Sequence, residues 1–206
     1  LNNMSKIVVF DFDKTLSYSD TFFGFFCFSA KKNITYPFKI IYYLFIMFLT
    51  KINMLSNTKL KHIGIFLFLK GMKDVQLKSL ALNYSKKIKL NRIYKEFDFL
   101  SKHTIYVVSA SFSDYLRPLF PENVNVLGSE FIIKENEVKG LKYNCFELEK
   151  ARILINRGIT KIDLTYTDSF SDFSLACLSK TIIIVEGDKT FECDNIQDFK
   201  SYFNKN

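Results

Sequence analysis

The chain has 206 residues, 48% of them hydrophobic, and 29 basic against 21 acidic side chains give a formal charge of +8. That length can bury one sizeable core beside a smaller lobe, and the composition excludes a disordered chain. Four widely spaced cysteines (Cys27, Cys145, Cys177, Cys193), with no CxxC pair and no histidine cluster, exclude a zinc site and lead to the expectation of reduced thiols in the cytoplasm. The given sequence does not open on a basic segment, an apolar run and a small-residue cleavage site, so no signal peptide is expected.

Lys6–Phe10 is a short β-branched and aromatic run ending in acids, which reads as a buried strand with function at its carboxyl end. Residues 17–91 then differ in character from the rest. They hold twelve lysines, no arginine, two acids (Asp20 and Asp74) and ten of the 23 phenylalanines, a net of +10. Two apolar runs, Ile40–Leu49 and Ile63–Leu69, fall short of the roughly 18 residues a membrane span needs. They read as helices of a small lobe with its own core, or alternatively as a membrane-facing surface.

Strand-like runs follow at Ile105–Ser109, Leu164–Thr167 and Thr181–Val185, separated by helical stretches at Phe112–Leu116 and Leu148–Asn156. Glu130–Lys134 and Glu137–Lys139 are expected to form a hairpin at the sheet edge, and Asn204–Asn206 a frayed tail. Alternation of strands and helices predicts an α/β fold, a Rossmann-like parallel sheet interrupted by an inserted α-helical lobe. The expected division is a core of residues 1–16 and 92–206 and a helical insert of residues 17–91. In open sheets of this kind ligands sit beyond the carboxyl ends of the strands. Three of the four runs end there in Asp or Ser.

The segment Phe10–Leu16 (FDFDKTL) sets two carboxylates, Asp11 and Asp13, two residues apart just past a strand. Acids capping a turn are the plain alternative, but two close carboxylates are costly without a proton or a cation to share. With Mg²⁺ bound, Asp11 supplies one oxygen ligand and the backbone another. The spacing also lets one carboxylate attack while its neighbour handles protons.

Asp11-Phe-Asp13-Lys-Thr15 resembles the first motif, DxDxT, of the haloacid dehalogenase-like phosphohydrolases. Ser109 resembles the second motif, Lys150 the third, and Asp168-Ser-Phe-Ser-Asp172 the fourth, DxxxD, all in the family's order. The resemblance implies Asp11 as nucleophile and Asp13 as general acid and then base. Thr15, Ser109 and Lys150 would bind the phosphoryl oxygens. Asp11, Asp13, Asp168 and Asp172 would make up the Mg²⁺ site, Asp172 through water or by orienting Lys150. An acid at position 13 favours phosphate transfer over dehalogenation, because a halide leaves without a proton. Lys14 replaces the family's usual glycine and is expected to point toward solvent. His62 and His103 are isolated and take no role.

The insert resembles the helical cap of the subgroup that contains the phosphoserine phosphatases and related lipid-phosphate phosphatases, and Asp20-Thr-Phe-Phe, Leu69-Lys-Gly-Met72, Gly128-Ser-Glu130 and Asn144-Cys145 strengthen that placement. Those enzymes use a cap arginine on the substrate carboxylate, and here the insert has none, which disfavours phosphoserine. The expected partner is a phosphorylated small molecule or a lipid phosphate and not a nucleic acid, with peripheral contact of the basic insert at the inner face of a membrane as a further expectation. A phosphotransferase or mutase on the same fold, or a non-catalytic membrane-surface binding protein, are the alternative functions.

Overall fold

The computed structural model describes residues 5–30, 35–95 and 102–205. Among these, seven strands form one sheet in the order β4-β3-β2-β1-β5-β6-β7. The strands are β1 (Ile7–Phe10), β2 (Thr104–Phe112), β3 (Asn125–Lys134), β4 (Glu137–Tyr143), β5 (Ile162–Thr167), β6 (Ser179–Glu186) and β7 (Lys189–Cys193). The first three, β5 and β6 run parallel, while β4 and β7 close the edges antiparallel.

Alternate residues of the central strands pack on opposite faces, as the pleat requires. Val8, Phe10 and Val107 join the cluster on one face, and Val9 and Val108 the cluster on the other. Helices α1 (Phe22–Ala30), α2 (Tyr36–Lys51), α3 (Asn57–Phe68) and α4 (Asp74–Ser85) lie between β1 and β2 in sequence. Pro37 sits in the first turn of α2, and the Ser56 side chain caps α3 by accepting the amide of Lys59. The short α5 (Ser113–Leu116) follows β2. Helices α6 (Leu148–Ile155) and α7 (Phe173–Ala176) belong to the second half of the chain, and α6 ends before Gly158, whose φ of 80° suits a residue without Cβ.

The inserted helices do not have a core of their own. Phe25, Phe26 and Tyr43 belong to the same buried cluster as Phe10, Phe112 and Tyr115. Phe25 lies 4.8 Å from Tyr115 between ring centroids, and Phe112 stacks on Phe131 at 4.1 Å. Aromatic side chains this large bury most of their area wherever they find partners, and here they bridge insert and sheet.

The insert leaves and returns side by side. Asn91 donates its amide to the Leu16 carbonyl at 2.7 Å and Tyr18 donates to Lys89 at 3.1 Å, a two-stranded neck. A second seam ties the insert to the hairpin: Gly71 donates to Val138 (2.9 Å), Val138 to Met72 (2.9 Å) and Asp74 to Asn136 (2.8 Å).

The hairpin is longer than the sequence suggests. Its first arm begins at Asn125 as a parallel partner of β2 and only then turns back, through Glu135 and Asn136 at φ 53° and 58°. At the other end, β7 and α8 (Ile196–Lys205) form a further unit in which Ile182, Ile184, Cys193 and Phe199 are buried together. Asn204 therefore continues a helix where a frayed end was expected; Asn206 lies outside the described residues.

Candidate active site

The parallel register brings three strand ends together. Phe10 pairs with Val107 on one side and Tyr166 on the other, and the Asp11 amide donates to the Tyr166 carbonyl at 2.9 Å. Asp11, Ser109 and Asp168 therefore emerge at one edge of the sheet. Past Asp11 the chain wraps tightly, with the amides of Leu16 and Ser17 both donating to the Phe12 carbonyl (2.9 and 3.0 Å). Lys14 takes a left-handed φ of 59° in this turn, and Thr15 is fully buried with no hydrogen-bond partner for its hydroxyl among the described residues.

Lys150, in the first turn of α6, projects its ammonium between two buried carboxylates. Nζ lies 2.6 Å from Asp11 Oδ1 and 2.5 Å from Asp172 Oδ1. Asp172 is fixed from its other oxygen by the Thr167 hydroxyl at 2.7 Å. Burial works against the ammonium, yet Asp11 and Asp172 together hold its pKa above the ordinary lysine range. Burial raises the Asp11 carboxyl well above its usual value; Lys150 opposes this, and Asp172 and Asp168 add to it. Asp168 is pushed up to about 6 by burial and by Asp172, with the Lys14 charge pulling the other way.

Asp13 is held by a different set. Its Oδ1 accepts the Thr21 amide (2.7 Å) and the Thr21 hydroxyl (2.6 Å), and its Oδ2 accepts the Ser111 hydroxyl at 2.5 Å. Burial, then the charge of Asp20, raises its pKa against these hydrogen bonds. Ser109 is fully buried and accepts the Ser111 amide at 3.0 Å, which leaves its own O–H to donate elsewhere. Strand β2 breaks its register over this stretch, and Gly128 of β3 makes the fit possible. A Cβ there would meet the Ser111 carbonyl at 2.6 Å and the Ser113 amide at 2.8 Å.

Of the seven residues singled out from sequence, Asp11, Asp13, Lys150 and Asp168 line one cavity of about 180 Å³, while Thr15, Ser109 and Asp172 lie buried around it. Lys14, Asp20 and Phe146 share its wall, as do Ser169 and Ser171. Lys14 is exposed, but it does not simply point away: it borders the cavity, because the turn that carries it bends over the carboxylates. Sequence reasoning missed Thr21 and Ser111, the partners of Asp13. Ser111 carries a readable signal, since it lies two residues beyond Ser109 and thus on the same side of a strand. It also missed Lys61 of α3, which is buried and donates to the Ala110 carbonyl (2.5 Å), Ser129 Oγ (2.9 Å) and Asn144 Oδ1 (2.5 Å).

Among the described residues no group of three or more His, Cys, Asp and Glu side chains is disposed to hold a metal ion. Two carboxylates, Asp11 and Asp168, do face the same cavity, close enough for the charge of Asp168 to raise the Asp11 carboxyl, and the Ser169 and Ser171 side chains lie beside them. Such a set fits Mg²⁺, which binds through one or two carboxylates and keeps several waters.

Residues 8–176 match the sequence model of the haloacid dehalogenase-like hydrolase family. A protein of unknown function from Bordetella pertussis Tohama I superposes with a TM-score of 0.68 at 15% identity, over 84% of this chain and 86% of that one. A phosphoserine phosphohydrolase-like protein from Francisella tularensis subsp. tularensis SCHU S4 gives 0.63 at 18% identity, over 96% and 99%. A phosphoserine phosphatase from T. onnurineus gives 0.61 at 16% identity, over 97% and 94%. No curated protein matches the chain in sequence. The chain belongs to the haloacid dehalogenase-like hydrolase family and has the fold of the phosphoserine phosphatase-like proteins within it.

Proposed function

We propose that the chain is a Mg²⁺-dependent phosphatase that hydrolyses a small phosphate monoester through a covalent aspartyl-phosphate on Asp11. The observation that carries this reading is Lys150, clamped between Asp11 and Asp172 at the wall of a small polar cavity. A buried cation beside a carboxylate is the arrangement that binds an anionic phosphoryl group and keeps the attacking oxygen in place.

Asp11 attacks phosphorus, and the ester oxygen departs with a proton from Asp13. Burial and Asp20 favour the protonated form that this step needs. A water then attacks the same phosphorus, gives its proton to Asp13, and releases Asp11 and inorganic phosphate. The unpartnered Thr15 hydroxyl and the Ser109 O–H donate to phosphoryl oxygens, with Lys150 opposite their charge. Mg²⁺, when bound, neutralises the phosphoryl charge and fixes its orientation. We assign it to the Asp11 and Asp168 carboxylates and the Asp13 backbone carbonyl. The Asp13 side chain is occupied by Thr21 and Ser111, and Asp172 acts by orienting Lys150.

The same reading makes residues 17–91 a cap over a core of residues 1–16 and 92–206, and the cysteine pattern supports a cytoplasmic location. The insert has no arginine, so a substrate carboxylate has no bidentate partner there. A phosphomonoester without a carboxylate, either a soluble metabolite or a lipid headgroup, suits the cavity better than phosphoserine. The test is hydrolysis of an aryl phosphate with and without Mg²⁺, in the native chain and in Asp11→Asn. Metal-dependent turnover that vanishes in Asp11→Asn supports the mechanism, and full activity of that variant sinks it.

A further inference from the structure

Helix α2 is apolar on both sides. Its inner side is packed: Tyr43 and Ile46 are buried, the Tyr43 hydroxyl donates to Leu60, and Lys39 reaches the Leu67 carbonyl at 2.8 Å. Its outer side carries Phe38, Ile41, Phe45 and Phe48 at 76, 66, 55 and 56% exposure, and Ile52 extends the row just past the helix end. The spacing of three to four residues makes this one continuous stripe along the helix. A helix on a soluble surface turns charged residues outward, and an apolar patch of this size marks a binding surface.

We infer that this stripe docks on the surface of an anionic lipid bilayer. Charge selects that occupant. Helix α2 contains no acid, and its last turn ends in Lys51. Lys70 lies 4.6 Å from the ring of Phe66, which is 63% exposed and shares a depression of about 400 Å³ with Tyr42 of α2. The two acids of the insert are engaged elsewhere, Asp20 at the catalytic cavity and Asp74 with Lys78. A second copy would set like charges against each other around the apolar row, whereas an anionic headgroup layer meets both the lysines and the stripe.

The helix lies in the plane of the surface. Its 16 residues extend about 24 Å, less than the roughly 30 Å of a hydrocarbon core, and its inner side is already taken by α1 and α3. Among the described residues no helix is long and apolar enough to cross a membrane. Docking stands on this surface alone and does not depend on the catalytic reading.

The chain has no tryptophan, so Phe48→Trp places a single reporter on the stripe. Vesicles of phosphatidylcholine with and without phosphatidylglycerol are the probes, at about 0.05 M and 0.5 M salt, where the Debye length falls severalfold. The expected result is a blue shift of the Phe48→Trp emission and co-sedimentation with anionic vesicles at low salt, both weakened at high salt. Phe45→Glu with Phe48→Glu should cut the vesicle-bound fraction by about tenfold with an unchanged thermal melt, because both side chains are exposed. No shift with anionic vesicles at low salt overturns the inference. So does equal sedimentation of the glutamate variant, or a dimer in sedimentation velocity that the variant dissolves while native protein ignores vesicles.

Discussion

The ammonium of Lys61 lies 2.5 Å from the carbonyl oxygen of Ala110, the residue between Ser109 and the Asp13 partner Ser111. Its other partners, Ser129 and Asn144, are neutral, so a lysine from the insert sits buried beside the sheet with no ion-pair partner among the described residues. Burial brings its pKa down to about 7. Between pH 7 and the ordinary lysine value of 10.5 the unfolded chain therefore binds a proton that the folded chain does not. The folded state gains stability as pH rises through that window and is flat, at its lowest, below it. Lys61→Met removes this dependence. Denaturant melts of both proteins at pH 6, 7.5 and 9 should show the native chain gaining little on the variant between pH 6 and 7.5 and most of its gain between 7.5 and 9; parallel curves would refute a depressed lysine.

Lys150→Met leaves Asp11 and Asp172 buried without their shared cation. Breaking a buried pair in this way costs about 3–5 kcal/mol. Adding Asp172→Asn should recover part of the loss, since one of the two stranded charges is then gone. Urea unfolding of the two single variants and the double variant gives the coupling directly. Additive losses would mean that the three side chains do not act as a unit.

Asp13→Asn keeps the hydrogen bonds' shape but removes the exchangeable proton. Turnover should fall by roughly 10²–10⁴-fold on alkyl phosphates, the usual weight of acid–base catalysis. On an aryl phosphate whose leaving group departs without protonation, the loss in the first step should be much smaller. Equal losses on both substrates would place Asp13 outside proton transfer.

Lys14 holds a left-handed backbone that glycine adopts without strain. Lys14→Gly should therefore stabilise the chain by about 1 kcal/mol at this position, less the added freedom of the unfolded glycine. Thermal denaturation measures the difference. A lower melting temperature would mean that the Lys14 charge beside Asp168 outweighs the relief of its backbone.

The parallel sheet was legible because its strands are short β-branched runs, and Asp11 and Asp168 directly follow β1 and β5, whereas Ser109, read as a strand end, stands inside β2, which runs on to Phe112. Asp11, Asp13 and Asp168 announce themselves by type and spacing. Thr21 does not: it is an ordinary hydroxyl eight residues past Asp13, and only the return of the chain toward β1 brings it there. Lys61 is one of twelve lysines in the insert, and nothing local in the sequence marks it as buried. The shared core had the same cause. Phe25 and Phe26 are plainly apolar, but their partners Phe112 and Tyr115 lie some 90 residues away, so the sequence read alone assigned them to a separate lobe. Strand β7 escaped because its outward side chains are nearly all exposed and carry no alternation. The spacing of Ile196, Phe199 and Phe203 in α8 was readable, but polar neighbours concealed it.

The seam between residues 71–74 and 136–138 means that the insert is stitched down at two places rather than hung from its neck alone. Any motion that lifts residues 71–74 off the hairpin has to break this short backbone ladder, which gives such a motion a threshold. Amide hydrogen exchange can see this without substrate or metal. Gly71, Asp74 and Val138 should exchange together, through one subglobal opening, while Val8 and Val9 in β1 keep the protection of global unfolding. Gly71→Pro, which removes one amide of the ladder, should speed exchange at Asp74 and Val138 and leave β1 untouched. The seam thus turns the hold of the hairpin on the insert into something that can be timed.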